Sequence, residues 1–562
     1  MAEFRTCPDT GFKIDLNADK LIKWNAVTAV VFLLVGGLFG LLVALTRWPA
    51  VHLLDADLFY LALTAHGLDV LLVWMIFFEI ALLYFTSAIL LNSRLALPKV
   101  GWLAYWMMLV GAAITNVAVL RGDSSVMFTS YPPMMAGQDF YMGILIFAVG
   151  ALFGCLVFFA TLYVAKKEKT YEGSVPLVTF GAITAAIIAV FTILSGAIIL
   201  IPTWFWSLGL LSHIDTLMYR VIWWGMGHSS QQINVAAQIS CWYAVAAILF
   251  GAKPLSEKVS RTAFLLYILF LQLASAHHLL VDPALSSEWK IFNTSYALYL
   301  AVLGSMIHGL TVPGAVEAAQ RKKGFNKGLF EWLTKCPWSN PVFAGTALSV
   351  VLFGFLGGIS GVMMGTEQLN LITHNTIYVP GHFHGTVVVG STLAFMSISY
   401  WLVPTLWQKE LVFPGLAKWQ PYLFGIGMGL VAVFMMGAGT LGVPRRHWDM
   451  TFADATLGFD FPAAANLMMG LNGVSALVAT VGAVIFILNM VGTILWGKAK
   501  VPAPAAAEPA PEPEATNAAT GYGDAGTMEV PGTFVLAMIF LVAFVLYYFV
   551  NWKYLSEVWL LS

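Results

Sequence analysis

Long, unbroken runs of apolar residues, separated by short polar stretches, dominate the chain and set its architecture. Thirteen runs reach the length of a bilayer crossing: roughly 24–46, 58–90, 102–120, 140–165, 175–201, 220–250, 262–281, 292–318, 342–366, 377–405, 421–443, 464–496 and 533–556. A helix rises about 1.5 Å per residue, so about 20 residues cover a hydrocarbon core about 30 Å thick. In lipid a helix satisfies its own backbone, and the chain reads as an all-α polytopic membrane protein embedded in a lipid bilayer.

The polar stretches alternate in Lys/Arg content. Arg5, Lys13, Lys20 and Lys23 precede the first span; Arg94 and Lys99 follow the second; Lys166, Lys167 and Lys169 follow the fourth, and the alternation continues to Lys498 and Lys500. The positive-inside rule then predicts a multi-pass protein of the cell inner membrane, with its N-terminus cytoplasmic and its C-terminus outside. The polar, mixed-charge N-terminus does not read as a cleavable signal peptide. Residues 501–530 are rich in Pro, Ala and Glu and read as a flexible linker. Four units follow: a cytoplasmic tail 1–23, a twelve-span body 24–497, a linker 498–532 and a thirteenth transmembrane helix 533–562.

Composition narrows the function. Of 562 residues, 59% are hydrophobic and 10% charged, against about 25% charged in a soluble protein, which excludes soluble enzyme classes. A net charge of −1 offers no basic excess for nucleic acid. Cys7, Cys155, Cys241 and Cys336 are scattered, so neither a disulfide framework nor a thiolate metal site is expected.

Six of the 11 histidines fall inside spans at one depth. His66 and His228 lie about eight residues into spans two and six; His382 and His384 lie about five to seven into span ten; His277 and His278 stand about five from the outer end of span seven. That is roughly 7–12 Å below the outer boundary. Ionisable side chains at such depth are costly and mark function. His382 and His384 differ by about 200° around a helix, so one helix can serve two centres. His277 and His278 with His228 make a three-histidine set suited to copper, zinc or iron. His66 can pair with one face of span ten. Two-histidine ligation of one haem, one-histidine ligation of another and a three-histidine metal use all six. Arg445 and Arg446 sit in an outer loop, where guanidinium pairs match haem propionates. His374 and Asn375, at the same face, can serve them too.

These residues carry a resemblance. HNTIYVPGHFH (374–384), the His277-His278 pair, WWGMGH ending at His228, TAHG around His66, SYPP (130–133) and VPRR (443–446) resemble, in order and over nearly the whole chain, the catalytic subunit of haem–copper oxygen reductases, closest to the B-type branch. The resemblance implies a twelve-helix haem–copper oxidase body, the catalytic unit, plus a thirteenth C-terminal transmembrane helix. It implies that His66 and His384 are the axial pair of a low-spin haem of b-type, and that His382 is the proximal ligand of a high-spin haem of b- or a-type. His228, His277 and His278 are the implied ligands of copper, and Arg445 and Arg446 the implied propionate partners. Electrons are expected from a second membrane-anchored subunit, fed by cytochrome c or a quinol, by way of the low-spin haem.

One position departs from that family. Its A- and B-type oxygen reductases have a tyrosine four residues after the first copper histidine, cross-linked to it; here the run HSSQQIN (228–234) puts Gln232 there. Positions i and i+4 share a helix face, so Gln232 belongs beside His228. Cleaving O2 in one step takes four electrons, of which the metals supply three and the tyrosine the fourth. Coupling two NO molecules takes two, and an unconventional group of nitric oxide reductases resembles oxygen reductases that lost this tyrosine. The expected activity is reduction of NO to N2O, with His228, Gln232, His277, His278 and His382 catalytic; the alternative is reduction of O2 to water. No glutamate falls on the active-site face of spans six or seven, which favours copper over iron. A tyrosine from elsewhere (Tyr243, Tyr131 or Tyr378) would support the alternative, but Tyr243 lies about 16 Å along the helix from Gln232.

Gln231, Asn234 and Gln238 form a polar stripe below the metal layer, joined by Ser240, and Tyr243, Ser305 and His308 can extend it. It reads either as part of a proton route or as interhelical hydrogen bonding. B-type oxidases have a tyrosine at the position of Ile239 and hydroxyl residues at those of Gly304 and Ile307, so proton pumping is not expected to follow their route.

Overall fold

The computed structural model describes residues 3–271, 273–283, 285–452, 456, 459–500 and 530–558. Residues 501–529 of the expected linker lie outside them. Among the described residues, a hairpin of β1 (Phe4–Thr6) and β2 (Lys13–Asp15) precedes thirteen helices of ten residues or more. They are α1 (Leu16–Thr46), α2 (Ala56–Ile89), α3 (Pro98–Leu120), α4 (Gln138–Lys167), α5 (Leu177–Ser207), α6 (Thr216–Phe250), α7 (Glu257–Leu266), α8 (Ser287–Lys322), α9 (Pro341–Met364), α10 (Tyr378–Trp407), α11 (Pro414–Thr440), α12 (Ala463–Trp496) and α13 (Pro531–Val558). All but α7 are long and apolar enough to cross a membrane, twelve among the described residues. Helix α1 begins at Leu16, inside the segment expected to be a polar tail, because the Asp15 carboxylate accepts the Ala18 N–H and caps it.

The helices that carry the predicted ligands form the centre of the bundle. The most apolar stretches of α2, α6 and α10 are 72%, 78% and 83% buried, against 22% for α1. Small residues let the helices close up. A methyl group at Gly111 on α3 would lie 2.5 Å from the backbone nitrogen of Phe147 on α4.

Span seven departs from expectation. Instead of one helix over 262–281, α7 passes into a π-helical turn at Tyr267–Leu271, and a 3₁₀ turn holds Ala276–His278. A regular α-helix would splay adjacent side chains by about 100°. The tight turn lets both rings approach one point, their centroids 4.1 Å apart. Further π segments lie at Asp69–Val73 after His66, at Phe353–Gly358 before Ser360 and at His384–Thr392. Each rotates the following residues relative to a regular helix, as such bulges do at functional sites.

Helix α13 docks on a buried carboxylate. Glu317 on α8 accepts the Gly532 N–H at 3.0 Å and the Thr533 N–H at 2.6 Å, and pairs with Arg321 at 2.7 Å. Glu317→Ala is expected to cost about 2–3 kcal/mol by orphaning these donors. The check is the thermal midpoint of the purified complex, which should fall for Glu317→Ala and less for Glu317→Gln. An unchanged midpoint would mean that the contact contributes nothing.

Candidate active site

Two cavities divide the six histidines singled out above. One, of about 310 Å³, is lined by His66 and His384 with Arg445 and Arg446 at its edge. The other, of about 100 Å³, is lined by His228, Gln232, His277, His278 and His382. His382 and His384, two residues apart on α10, thus serve different cavities.

In the first, the His66 and His384 rings lie 19° from parallel with centroids 6.4 Å apart. Metal–nitrogen bonds of about 2.0–2.1 Å, plus roughly 1.1 Å to each ring centre, put two imidazoles on opposite sides of one ion about 6.3 Å apart. His66 Nδ1 meets the Gly36 carbonyl at 2.8 Å and His384 Nδ1 the Pro380 carbonyl at 2.7 Å. Those carbonyls hold the ring protons on Nδ1 and leave Nε2 as the free donor of each pair. Gly40 makes room: a methyl there would lie 2.6 Å from His66 Cε1.

In the second, His228 on α6 meets the turn at His277 and His278, with their ligand nitrogens all within 4.8 Å of one another. Among the described residues this is the one such group. His228 Nδ1 stands 3.1 Å from His278 Nε2, and nitrogens on one ion stand about 3–3.5 Å apart. His228 Nε2 faces the other way, 2.7 Å from the Gln232 amide nitrogen. His382 Nδ1 meets Ser360 Oγ at 2.8 Å. Among the described residues, no tyrosine lines this cavity. Tyr243 bonds instead to Ser260, His308 and Thr311. Tyr378 donates to Met363 Sδ, and Tyr131 lies in the arginine cluster.

That cluster roofs the first cavity. Arg445 N–H donates to the Asn375 carbonyl at 2.9 Å, Ile377 N–H to Val443, and Arg47 reaches the carbonyls of Pro444 and His447. Asn375 contributes that carbonyl while its side chain is exposed. Burial and then Arg446 push the Arg445 guanidinium down to about 9, and its Nε has no partner. Burial, then Arg445, Arg220 and Arg446, push His374 down to about 3. Half-buried cations crowded in this way call for anions.

Several contacts escaped the sequence. The Trp224 ring stacks on His278 at 3.7 Å and its Nε1–H donates to Tyr131 Oη at 2.6 Å. Asn370 donates to the His277 carbonyl at 3.0 Å. Arg220 pairs with Asp282 at 2.7 Å. The WWGMGH string held a signal for Trp224; Ser360, Asn370 and Arg47 had none, being joined to the site by tertiary contacts alone.

A polytopic helical protein with paired imidazoles in one cavity and a three-histidine cluster in the next is built as a membrane redox enzyme. The family of cytochrome c and quinol oxidase polypeptide I matches residues 20–485. Cytochrome c oxidase subunit 1 of Thermus thermophilus is 31% identical over 494 residues, 85% of this chain and 84% of that protein. Quinol oxidase subunit 1 of Bacillus subtilis is 23% identical over 79% of this chain and 68% of its own. A cryo-EM structure of a heme-copper terminal oxidase dimer superposes with a TM-score of 0.81 at 25% identity, covering 94% of this chain and 92% of that one. The chain belongs to this family, as a haem–copper oxidase catalytic subunit I. The family carries haems and a metal at a three-histidine site, and the ring spacing, the free Nε2 atoms and the partnerless Arg445 Nε fit them.

Proposed function

We propose that this subunit reduces nitric oxide to N2O. The observation that carries the reading is the Gln232 amide 2.7 Å from His228 Nε2, where oxygen-reducing relatives of the A and B types have a tyrosine. His66 and His384 would hold a low-spin haem, His382 a high-spin haem, and His228, His277 and His278 copper in preference to iron. Arg445 and Arg446, with His374 and Asn375, would hold the propionates. Bound there, haem and copper supply electrons and open coordination positions.

The chain's own part is positional. A metal held by His228 through Nδ1 would leave the ring proton on Nε2, and the Gln232 amide, its nitrogen and oxygen exchanged by rotation, would then accept that proton and present its NH2 to the pocket. An amide can orient a bound NO but cannot give an electron. The balance 2 NO + 2 e⁻ + 2 H⁺ → N2O + H2O asks for none from it.

The catalytic unit is then the twelve-span body 24–497, linked through 498–532 to the helix 533–562. The lysine alternation supports an inner-membrane protein with its centres toward the outer face, taking electrons from a membrane-anchored partner that receives them from cytochrome c or a quinol. A second reading, reduction of O2, is favoured by Tyr267, whose hydroxyl lies 2.8 Å from Ser305 Oγ in the cavity wall.

The test is turnover of the purified complex with one electron donor, first under anaerobic NO and then under O2. One N2O per two NO, with electron flux at least tenfold above that to O2, is expected; dominant O2 uptake overturns the proposal. Gln232→Leu should lower NO turnover by about 10–100-fold at unchanged haem and metal content.

A further inference from the structure

Helix α13 is peripheral, yet one of its faces reaches the element that holds His382. Its most apolar stretch is 6% buried, and Met538, Leu541, Val542 and Val545 are exposed. The opposite face carries Phe540, Phe544 and Tyr547, at the i, i+4, i+7 spacing of one helical stripe. These three pack on Ile359 and Met363 of α9 and on Leu369 just beyond it. Phe540 also meets the Phe355 ring edge-on, with centroids 5.1 Å apart at 85°.

The surface they cover is a weak point of α9. Phe353–Gly358 (FGFLGG) is a π turn with glycine at three of its six positions. Glycine loses much backbone freedom on folding and offers no side-chain contacts in return, so such a turn needs support from outside. At Gly354 the support is close: a methyl group there would lie 3.3 Å from Phe540 Cε2. The same turn fixes a hydroxyl beside the three-histidine cavity. Ser360 donates to the carbonyls of Leu356 and Gly357, both within the turn. A neutral His382 that uses Nε2 as a ligand carries its proton on Nδ1, and the Ser360 oxygen, 2.8 Å away, is left to accept it. A second contact arrives one helical turn before His382, where Tyr378 donates to Met363 Sδ and shares a hydrogen bond with Tyr547.

We infer that α13 is a positioning element for His382: Phe540, Phe544 and Tyr547 brace the glycine-rich turn of α9, and the turn holds Ser360 on His382 Nδ1. A hydrogen bond from the far nitrogen makes an imidazole a stronger ligand and fixes its orientation. The braced turn therefore sets how strongly His382 binds iron, through contacts that begin at the edge of the bundle. The inference rests on the reading of His382 as the high-spin haem ligand, and it holds whether the gas is NO or O2.

The test is the iron–histidine stretching band in resonance Raman spectra of the whole reduced complex. Ser360→Ala should shift the band to lower frequency, because the Nδ1 proton loses its acceptor. Phe540→Ala should shift it the same way by a smaller amount, with haem content unchanged, and Phe540→Leu, which keeps much of the apolar volume, should recover most of the wild-type frequency. Where Phe540→Ala fails to assemble, Phe355→Ala breaks the same ring contact from α9 and carries the same expectation. The variant with both Phe540→Ala and Ser360→Ala should match Ser360→Ala alone, since both changes act through one hydrogen bond. Val542→Ala, on the exposed face of α13, should leave the band in place. An unmoved band in Phe540→Ala beside a shifted one in Ser360→Ala overturns the bracing. So does an unmoved band in both, and so do equal shifts in Phe540→Ala and Val542→Ala, which would report only the stability of the helix. A band that survives His382→Ala would instead refute the ligand reading, and the inference with it.

Discussion

Replacing His384 with alanine is expected to remove one haem and nearly all turnover. His384 faces His66 across 6.4 Å with both Nδ1 atoms tied to backbone carbonyls, so no nearby rotation supplies a substitute ligand. A porphyrin iron held by a single remaining imidazole loses its low-spin state and most of its affinity. Haem content should fall from about two per chain to about one, with loss of the low-spin absorption. Turnover should fall on the order of 10³-fold or more, as when an essential catalytic group is removed. The three-histidine metal should stay, because His384 and His228 line different cavities. His382→Ala should do the converse and spare the low-spin spectrum. Retention of a low-spin two-imidazole spectrum in His384→Ala would refute the pairing.

Replacing His278 with alanine is expected to empty the third metal site. A catalytic metal of this kind uses three protein donors and keeps one position open, so two donors leave it too weakly held. His278 is also clamped from both sides, by the Trp224 ring at 3.7 Å and by His228 Nδ1 at 3.1 Å. Losing the ring leaves a hole as well as a missing donor. Non-haem metal per haem, measured by mass spectrometry, should fall at least about tenfold, with turnover lost and the low-spin spectrum intact. Full metal occupancy in the variant would show that the cluster is not the binding site. Trp224→Phe should give a milder loss of about 10–100-fold in activity, the range of residues that orient a ligand.

The contrast between these two sites shows how far local pattern reaches. His66, His228, His382 and His384 stand out in the sequence because an imidazole within an apolar run is costly without a partner. The spacing of His382 and His384 sends them to opposite faces, and the i, i+4 spacing of His228 and Gln232 brings those two together at 2.7 Å. The turn holding His277 and His278 was not legible. An apolar run that continues over 262–281 has nothing local to mark where the helix gives way, and Asn370, packed from another segment, steadies the turn. The arginine cluster was half legible: Arg445 and Arg446 broke the charge alternation, but Arg47 and the Asn375 carbonyl join them only where two loops meet.

Hydropathy and spacing alone decided that this chain crosses a membrane many times and that its imidazoles lie in one layer, because both follow from the cost of unpaired polar groups in lipid. The packed bundle decided which ring faces which and where Tyr243 and Tyr267 point. Those choices depend on π turns and on close approaches such as that of Gly40 to His66. They arise between segments far apart in the chain, where no local period carries the information.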